Sequence, residues 1–384
     1  MQTFDLSFTD SIATIGADTW NGLTGTENPF TRYEFLWGLE STGCTTQGTG
    51  WQPYHVLVHS NRNGETEPVA VMPLYLKTNS YGEYVFDWSW ANAYQTHGHR
   101  YYPKFVTAIP FTPSVGSRYF IKPGTDTVAV IALIQERIEA EARRLQGSSW
   151  HVLFPPLEQH ESLSSIGLLP RRGCQFHWYN RDYRDFEHFL SGLNSRKRKN
   201  IRKERQQVAE AGITFERVEG AAIEPARWHR FYEFYQSTYM MRGMQGYLHA
   251  DFFEFLSANM PEQVFMNVAQ RDGRDIAAAL FFKNSTTLYG RYWGSQQDYR
   301  FLHFETCYYQ GQEYSIEHGL WQFDSGAQGE HKIQRGFEPI PTYSNHWIKD
   351  PGFSAAIARF LEEEATHIEQ YKESAASYLP FRQN

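Results

Sequence analysis

Apolar positions along this chain follow two periods, and the two alternate in the same order in each half. Strand-length runs at Tyr54–His59 and Pro68–Lys77 flank the turn Asn61–Gly64 and predict a hairpin. Pro68 and Pro73 put its second arm at an edge or in an irregular strand. Tyr84–Trp88 predicts a third strand, and Arg32–Glu40 a helix before a Gly/Thr-rich loop. Over Thr125–Leu145 the period lengthens. Ile131, Ile134, Ile138 and Leu145 form one stripe with Glu136, Glu139 and Arg143 opposite, which predicts an amphipathic helix. Trp150–Phe154 then predicts a strand closed by Pro155-Pro156.

The second half repeats that order. Phe186–Val208 and Trp228–Tyr239 predict helices, and Asp251 with Glu254 at capping-box spacing opens another. Val264–Gln270 and Asp275–Lys283 predict a hairpin, and Thr286–Gly294 the next strand. A helix at Phe304–His318, stopped by Gly319, leads to a strand at Leu320–Phe323, and a helix at Phe353–Tyr371 closes the chain. This pattern predicts an α+β (mixed α/β) chain of two tandem domains, 1–175 and 176–384, as its 384 residues also suggest.

Composition narrows the function. A net charge of −7 disfavours a nucleic-acid coat but leaves room for a local basic patch. Cys44, Cys174 and Cys307 form no CxxC pair, which suits a reducing cytoplasm. His97 and His99 lack further ligands nearby, so no metal is expected. The opening MQTFDLSFTD has neither the basic start nor the apolar core of a signal peptide. No run reaches the roughly 20 apolar residues of a membrane span. A soluble, cytoplasmic protein is the expectation. Nucleophile-elbow, phosphate-loop, HExxH and GxGxxG motifs are all missing.

Three stretches carry chemistry. Asp87–Phe105, DWSWANAYQTHGHRYYPKF, is too polar for a core and too aromatic for a linker, and reads as a binding loop or short helix. Ser195–Arg205 holds seven cations against one acid, a track for phosphates; no helix-turn-helix or finger pattern accompanies it, so DNA is not the expected partner. Gly326–Pro339, GAQGEHKIQRGFEP, concentrates Glu330, His331, Lys332 and Arg335 between glycines just past a strand end.

Tyr289–Lys332 followed by IQRGF resembles the C-terminal half of the Fem-type peptidyltransferases and their bacterial FemAB-like relatives. SRKRKNIRKERQQVAEAGITFERV resembles the family's basic segment, and DWSWANAY, YYPK and PFTPSVGSR resemble its N-terminal half, the group concerned with peptidoglycan biosynthesis or recognition. The resemblance implies two tandem acetyltransferase-like (GNAT) domains, each a central mixed sheet flanked by helices, and allows the last helix to pack on the first domain. It implies transfer of an acyl or aminoacyl group to an amine of a small molecule or peptide, such as a peptidoglycan precursor. The donor is aminoacyl-tRNA in Fem enzymes and acyl-coenzyme A in their relatives. The chain lacks a strict Q/R-x-x-G-x-G/A coenzyme A loop, Gln328-Gly329 and Gly294-Ser295 being partial echoes, so the donor stays open.

Both donors require charge stabilisation on a carbonyl oxygen and removal of a proton from the amine. Lys332, which matches the family's turn lysine, is the expected electrostatic stabiliser. Glu305, Glu330 and His331 are candidate bases. Arg196, Lys197, Arg198, Arg202, Arg291 and Arg335, together with Tyr101, Tyr102, Lys104 and Trp88, are the candidates for binding substrate or its phosphates. The alternative is a non-catalytic protein that recognises a cell-wall precursor or peptide.

Overall fold

The computed structural model describes residues 3–382 apart from 63, 242 and 328, so Asn63 of the first predicted turn and Gln328 of the glycine segment lie outside the described residues. The chain divides into two units. Met1–Gly173 with Pro341–Gln370 form the first, and Cys174–Ile340 with Tyr371–Asn384 the second.

In the first unit the elements run β1 (Thr3–Thr9), α1 (Ile12–Ile15), α2 (Ala17–Thr24), α3 (Tyr33–Ser41), β2 (Trp51–Pro53), β3 (His55–Arg62), β4 (Glu65–Met72) and β5 (Tyr75–Lys77). They continue as α4 (Trp88–Thr96), β6 (Lys104–Thr107), β7 (Phe120–Ile121), α5 (Thr127–Arg144), β8 (Ser149–Leu153) and α6 (Leu157–Ser165). Strands β1, β3, β4 and β7 form one antiparallel sheet. In the other, β2 pairs β5 and β5 pairs β6 antiparallel, whereas β6 runs parallel to β8.

Helix α5 supplies the crossover that a parallel pair requires. Its amphipathic stripe buries Val130, Ile131, Ile134 and Ile138 in one cluster with Val56, Val58, Phe105 and Trp150. Each such aliphatic side chain contributes about 1.5–3 kcal/mol when fully buried. Asp126 caps the helix by accepting from the Ala129 N–H at 3.0 Å.

The second unit begins within β9 (Leu169–Tyr179) and continues through α7 (Phe186–Ser191), α8 (Ser195–Glu210), β10 (Thr214–Glu219), α9 (Pro225–Met240) and α10 (Ala250–Asn259). Strands β11 (Val264–Arg271), β12 (Arg274–Lys283) and β13 (Thr287–Ser295) follow. The next helix starts as α11 (Leu302–Phe304), widens into a π-turn at Glu305–Tyr309 and ends as α12 (Gln310–Glu317). It leads to β14 (Gln322–Asp324), a 3-10 turn at Glu330–Arg335, β15 (Glu338–Ile348) and α13 (Pro351–Ser377). Here too the antiparallel strands β10 to β13 end in a parallel pair, β13 with β14, joined by a helix.

The fold is therefore mixed α/β, with a mixed sheet flanked by helices in each unit, and the repeated order read from the sequence is present. One exchange was not legible. Strand β9 follows β8 in the chain yet pairs antiparallel with β14, while β15 follows β14 and pairs antiparallel with β8.

Several predicted elements change. Tyr84–Trp88 is not a strand: Tyr84 takes a left-handed φ of 60°, Glu83 and Asp87 turn inward to Lys104, and Trp88 starts α4. Phe186–Val208 is two helices, because Gly192 ends the first and the Asn194 side chain accepts from the Lys197 N–H at 3.0 Å to start the second. Among the described residues no helix is long and apolar enough to cross a membrane.

Candidate active site in the second unit

Strands β13 and β14 hydrogen-bond over only three residues each, Thr287–Tyr289 with Gln322–Asp324. Just past that point the β12–β13 register shifts: Phe281 faces Gly290, whereas Leu280 faces Tyr292, so Arg291 is the extra residue of a bulge. The parallel strands then part, leaving a cavity of about 90 Å³ lined by Gly290, Arg291, His303, Cys307, Tyr308 and Ser325. The crossover helix packs tightly beside it, since a Cβ on Gly311 would meet the Phe323 ring at 2.6 Å.

A buried charge network forms one wall. Arg291 donates to both Asp324 oxygens, at 3.1 and 2.6 Å, and the Gly326 N–H donates to Asp324 at 2.9 Å. Burial raises the Asp324 carboxyl, but Arg291 and His177 outweigh it and hold the group down at about 2. Lys332, only 1% exposed, donates to the carbonyls of Ser325 at 3.0 Å and Gly326 at 2.8 Å. Burial lowers its ammonium to about 7 against the pull of Asp324. The lysine thus fixes the first residues beyond β14 and is poised to change charge near neutrality.

His331 follows the same turn. Its Nε2 lies 2.9 Å from the Tyr308 hydroxyl, and its ring sits 5.4 Å from Phe304 and 6.1 Å from His303. Burial, then the cations Arg335 and Lys332, push the imidazole down to about 4, so it is neutral at physiological pH. Gly329, at φ 123°, leaves room for that ring: a Cβ there would come within 2.6 Å of it.

The other residues singled out in the sequence fall into distinct settings. Glu305 is buried, accepts from Arg205 at 2.9–3.2 Å and from Gln310 at 2.9 Å, and is engaged by these donors. Glu330 is exposed and accepts from the Tyr371 hydroxyl at 3.0 Å. Arg291 is bound to Asp324, and Arg335 donates to Glu204 at 2.7 Å while its guanidinium lies 3.5 Å from the Phe304 ring centroid. Arg202 pairs with Glu187 at the surface. Among the described residues Arg196, Lys197 and Arg198 form no ion pair, nor do Lys199 and Lys203 on the same helix.

Trp88, Tyr101, Tyr102 and Lys104 belong to the first unit. Lys104 is fully buried and donates to Glu83 at 2.8 Å, Ser80 at 2.9 Å and Asp87, which also accepts from the Tyr101 hydroxyl at 2.5 Å. Tyr102 shares a 2.8 Å hydrogen bond with Ser80, while Trp88 is largely exposed against Tyr81. Three of the four are therefore tied into a buried ionic cluster.

Sequence reasoning missed Asp324, Tyr308, Cys307 and His303. Asp324 left a signal, an acid at the last position of a strand entering a glycine turn. The other three belong to one helix face, and only their approach to β13 distinguishes them from core.

The first unit's parallel pair differs. After β6 the chain turns back against the end of β8. Arg118, 1% exposed, donates to the carbonyls of Leu153 at 2.6 Å, Gly116 at 2.8 Å, Ser117 and Ser114. The Gly116 N–H donates to Phe154 at 3.1 Å. Burial lowers this guanidinium to about 9.

A family model described as FemAB-like, peptidoglycan biosynthesis/recognition, matches residues 11–383. Among solved structures FemX is similar at 12% identity, with 92% of this chain and 100% of that chain covered and a TM-score of 0.52. A tandem GNAT protein from the clavulanic acid biosynthesis pathway is 10% identical over 91% of this chain and 99% of its own, TM-score 0.47. L-PGS from Bacillus licheniformis is 10% identical over 87% and 97%, TM-score 0.48. No curated protein matches the chain.

Proposed function

Because this chain belongs to the FemAB-like family of peptidoglycan biosynthesis and recognition, we propose that its second unit transfers an acyl or aminoacyl group from an activated donor to an amine, the acceptor being a peptidoglycan precursor or a related peptide. The observation that carries this reading is the parted pair β13/β14, whose cavity is lined by Arg291, Tyr308 and Ser325, with Lys332 holding the Ser325 carbonyl. An ester or thioester carbonyl seated there would have the Arg291 guanidinium, which Asp324 holds in place, at the cavity wall and the Lys332 ammonium behind Ser325 as the cations nearest its developing oxyanion. The Arg118 segment packed on the end of β8 in the first unit favours the second as the donor-binding half. The unpaired cations of α8 supply positive charge for donor phosphates, whether those of a coenzyme or of an RNA backbone. Such substrates fit a cytoplasmic enzyme.

The test is transfer from acetyl-coenzyme A or from alanyl-tRNA to a lysine-containing pentapeptide, with matching calorimetric titrations. Lys332→Ala is expected to lower kcat by about 10²–10³, the loss typical of an oxyanion partner, while the melting curve stays cooperative. A folded variant of undiminished activity would remove Lys332 from the site. The recognition reading is favoured by one observation, the engagement of both Arg291 and Arg335 by carboxylates. It requires pentapeptide binding with no uptake of either donor.

A further inference from the structure

Helix α4 and the first turns of α13, both in the first unit, bound an open groove of about 500 Å³. Trp90, Ala93 and His97 recur at helical spacing along one wall, and Phe353, Ile357 and Phe360 along the other. The two helices run antiparallel. Phe353, in the first turn of α13, packs its ring on Tyr94 at 3.9 Å, His99 at 5.6 Å and His97 at 5.8 Å, at the far end of α4. Arg171 lies 5.1 Å from the Trp90 ring and binds Glu364 at 2.7 Å, so later turns of α13 meet the start of α4. Small residues, Ala93 and Ala356, leave the space between the walls. From Ser89 to His97 the groove follows α4 for about 12 Å.

Its two ends differ in chemistry. At the α13 N-terminus the Asp350 carboxylate lines the groove and accepts from the N–H groups of Gly352 at 2.8 Å and Phe353 at 3.0 Å through one oxygen. His97 Nδ1 lies 2.8 Å from the Ala93 carbonyl, so that nitrogen carries the proton and Nε2 is an acceptor. This end therefore offers acceptors and a negative charge. At the other end Phe360 is 41% exposed, and Trp88 and Tyr81, in contact at 5.3 Å, are exposed at the start of α4.

From this order of groups we infer that the groove binds a single hydrocarbon chain ending in an amine. The ammonium donates to Asp350 and His97, and the chain lies between α4 and α13 toward Phe360. An anionic head would be repelled by Asp350, and a short amine would leave the apolar walls wet. The same chemistry is carried by a free long-chain amine and by a membrane lipid with an amine headgroup. The inference is independent of the acyl-transfer reading, since these residues belong to the first unit and the candidate transfer cavity to the second.

Calorimetric titration of the full chain with decylamine, octylamine, decanol and decanoate tests it. Decylamine is expected to bind about fifteenfold more tightly than octylamine, at about fourfold for each buried methylene, and decanoate not to bind. Ala356→Trp, at an exposed helical position, should close the groove and abolish binding while the melting curve is kept. Asp350→Asn preserves the cap of α13. It is expected to weaken decylamine about tenfold and to change decanol by less than about twofold. Flotation with phosphatidylethanolamine vesicles, lost in Ala356→Trp, would identify a lipid as the source of the chain; decylamine binding without flotation would identify a free amphiphile. Equal affinity for decylamine and decanoate, undiminished binding in Ala356→Trp, or no binding of either amine would overturn the assignment. A wild-type dimer that Ala356→Trp splits would likewise overturn it and give the groove to a second copy of the chain.

Discussion

At Lys332 stability and activity are set against each other by pH. In an unfolded chain a lysine holds its proton to about 10.4, but in the fold burial brings Lys332 to about 7. Between those values the unfolded state binds the extra proton, so this residue adds to stability as pH rises from about 7 to about 10. The role proposed for it, a cation beside an oxyanion, runs the other way and is lost as pH rises through about 7. Lys77 in the first unit is likewise lowered to about 7 by burial, and Glu83 raised to about 7, so raw curves mix several groups. The difference between wild type and Lys332→Met isolates the effect. Its stability difference, from urea unfolding, is expected to grow as pH falls from about 10 to about 7 and to level off below that, and wild-type kcat to fall as pH rises through about 7. A kcat that instead rises with pH would make Lys332 a base.

Among the elements, the contact of α9 with β13 governs the geometry of the opening. Gly294 lets the helix backbone lie directly on the strand: a Cβ there would sit 2.0 Å from the Phe234 carbonyl oxygen. Ser237 and Thr238 donate to the carbonyls of Ser295 and Trp293 at 3.0 Å each, so the parted end of β13 finds its partners on a helix instead of a strand. Gly294→Ala is expected to cost about 1–3 kcal/mol in thermal unfolding and to impair transfer more than its stability loss explains. The sequence had marked this glycine as half of a coenzyme motif, whereas the structure gives it a packing reason.

The same scale explains what could be read in advance. Long amphipathic helices such as α5 and the hairpin β11–β12 declared themselves because one face of each is apolar. Strand β15 did not: it carries Pro339 and Pro341 and buries Ser344, Asn345 and His346, and His346 is satisfied by His151 at 2.7 Å and Ser344 at 2.9 Å. Strand β9 was hidden likewise, by buried Gln175 and His177. In the candidate site, the glycine turn and its charged residues stood out by local composition, and Lys332 was singled out among them by the family resemblance. Asp324, Tyr308 and the spent state of Arg291 and Glu305 depend on partners tens of residues away, which periodicity does not encode.

For the molecule as a whole, the exchanged strands mean that neither half of the sequence is a unit. Residues 1–173 alone lack β15, the antiparallel partner of β8, along with Ile348, Phe353, Ile357 and Leu361, which pack with Trp90, Tyr94 and Tyr101. A 1–173 fragment is therefore expected to show a broad, weakly cooperative melt. Adding residues 341–370 as a separate peptide should sharpen it, as circular dichroism can follow. A fragment that melts as sharply alone would show that this strand is dispensable.

That arrangement also fixes a timetable. The ribosome releases the N-terminal portion of a chain first, and ordinary domains fold as they emerge. Here the portion made earliest must wait, with an unpaired strand edge and an uncovered aromatic cluster, until residues 341–370 have been translated, long after it left the exit tunnel. Pairings this distant in sequence are slow to form. The newborn protein is thus exposed to aggregation while residues 174–340 are being made, and its yield in a cell should depend on translation speed and chaperone supply more than the stability of the finished molecule would suggest.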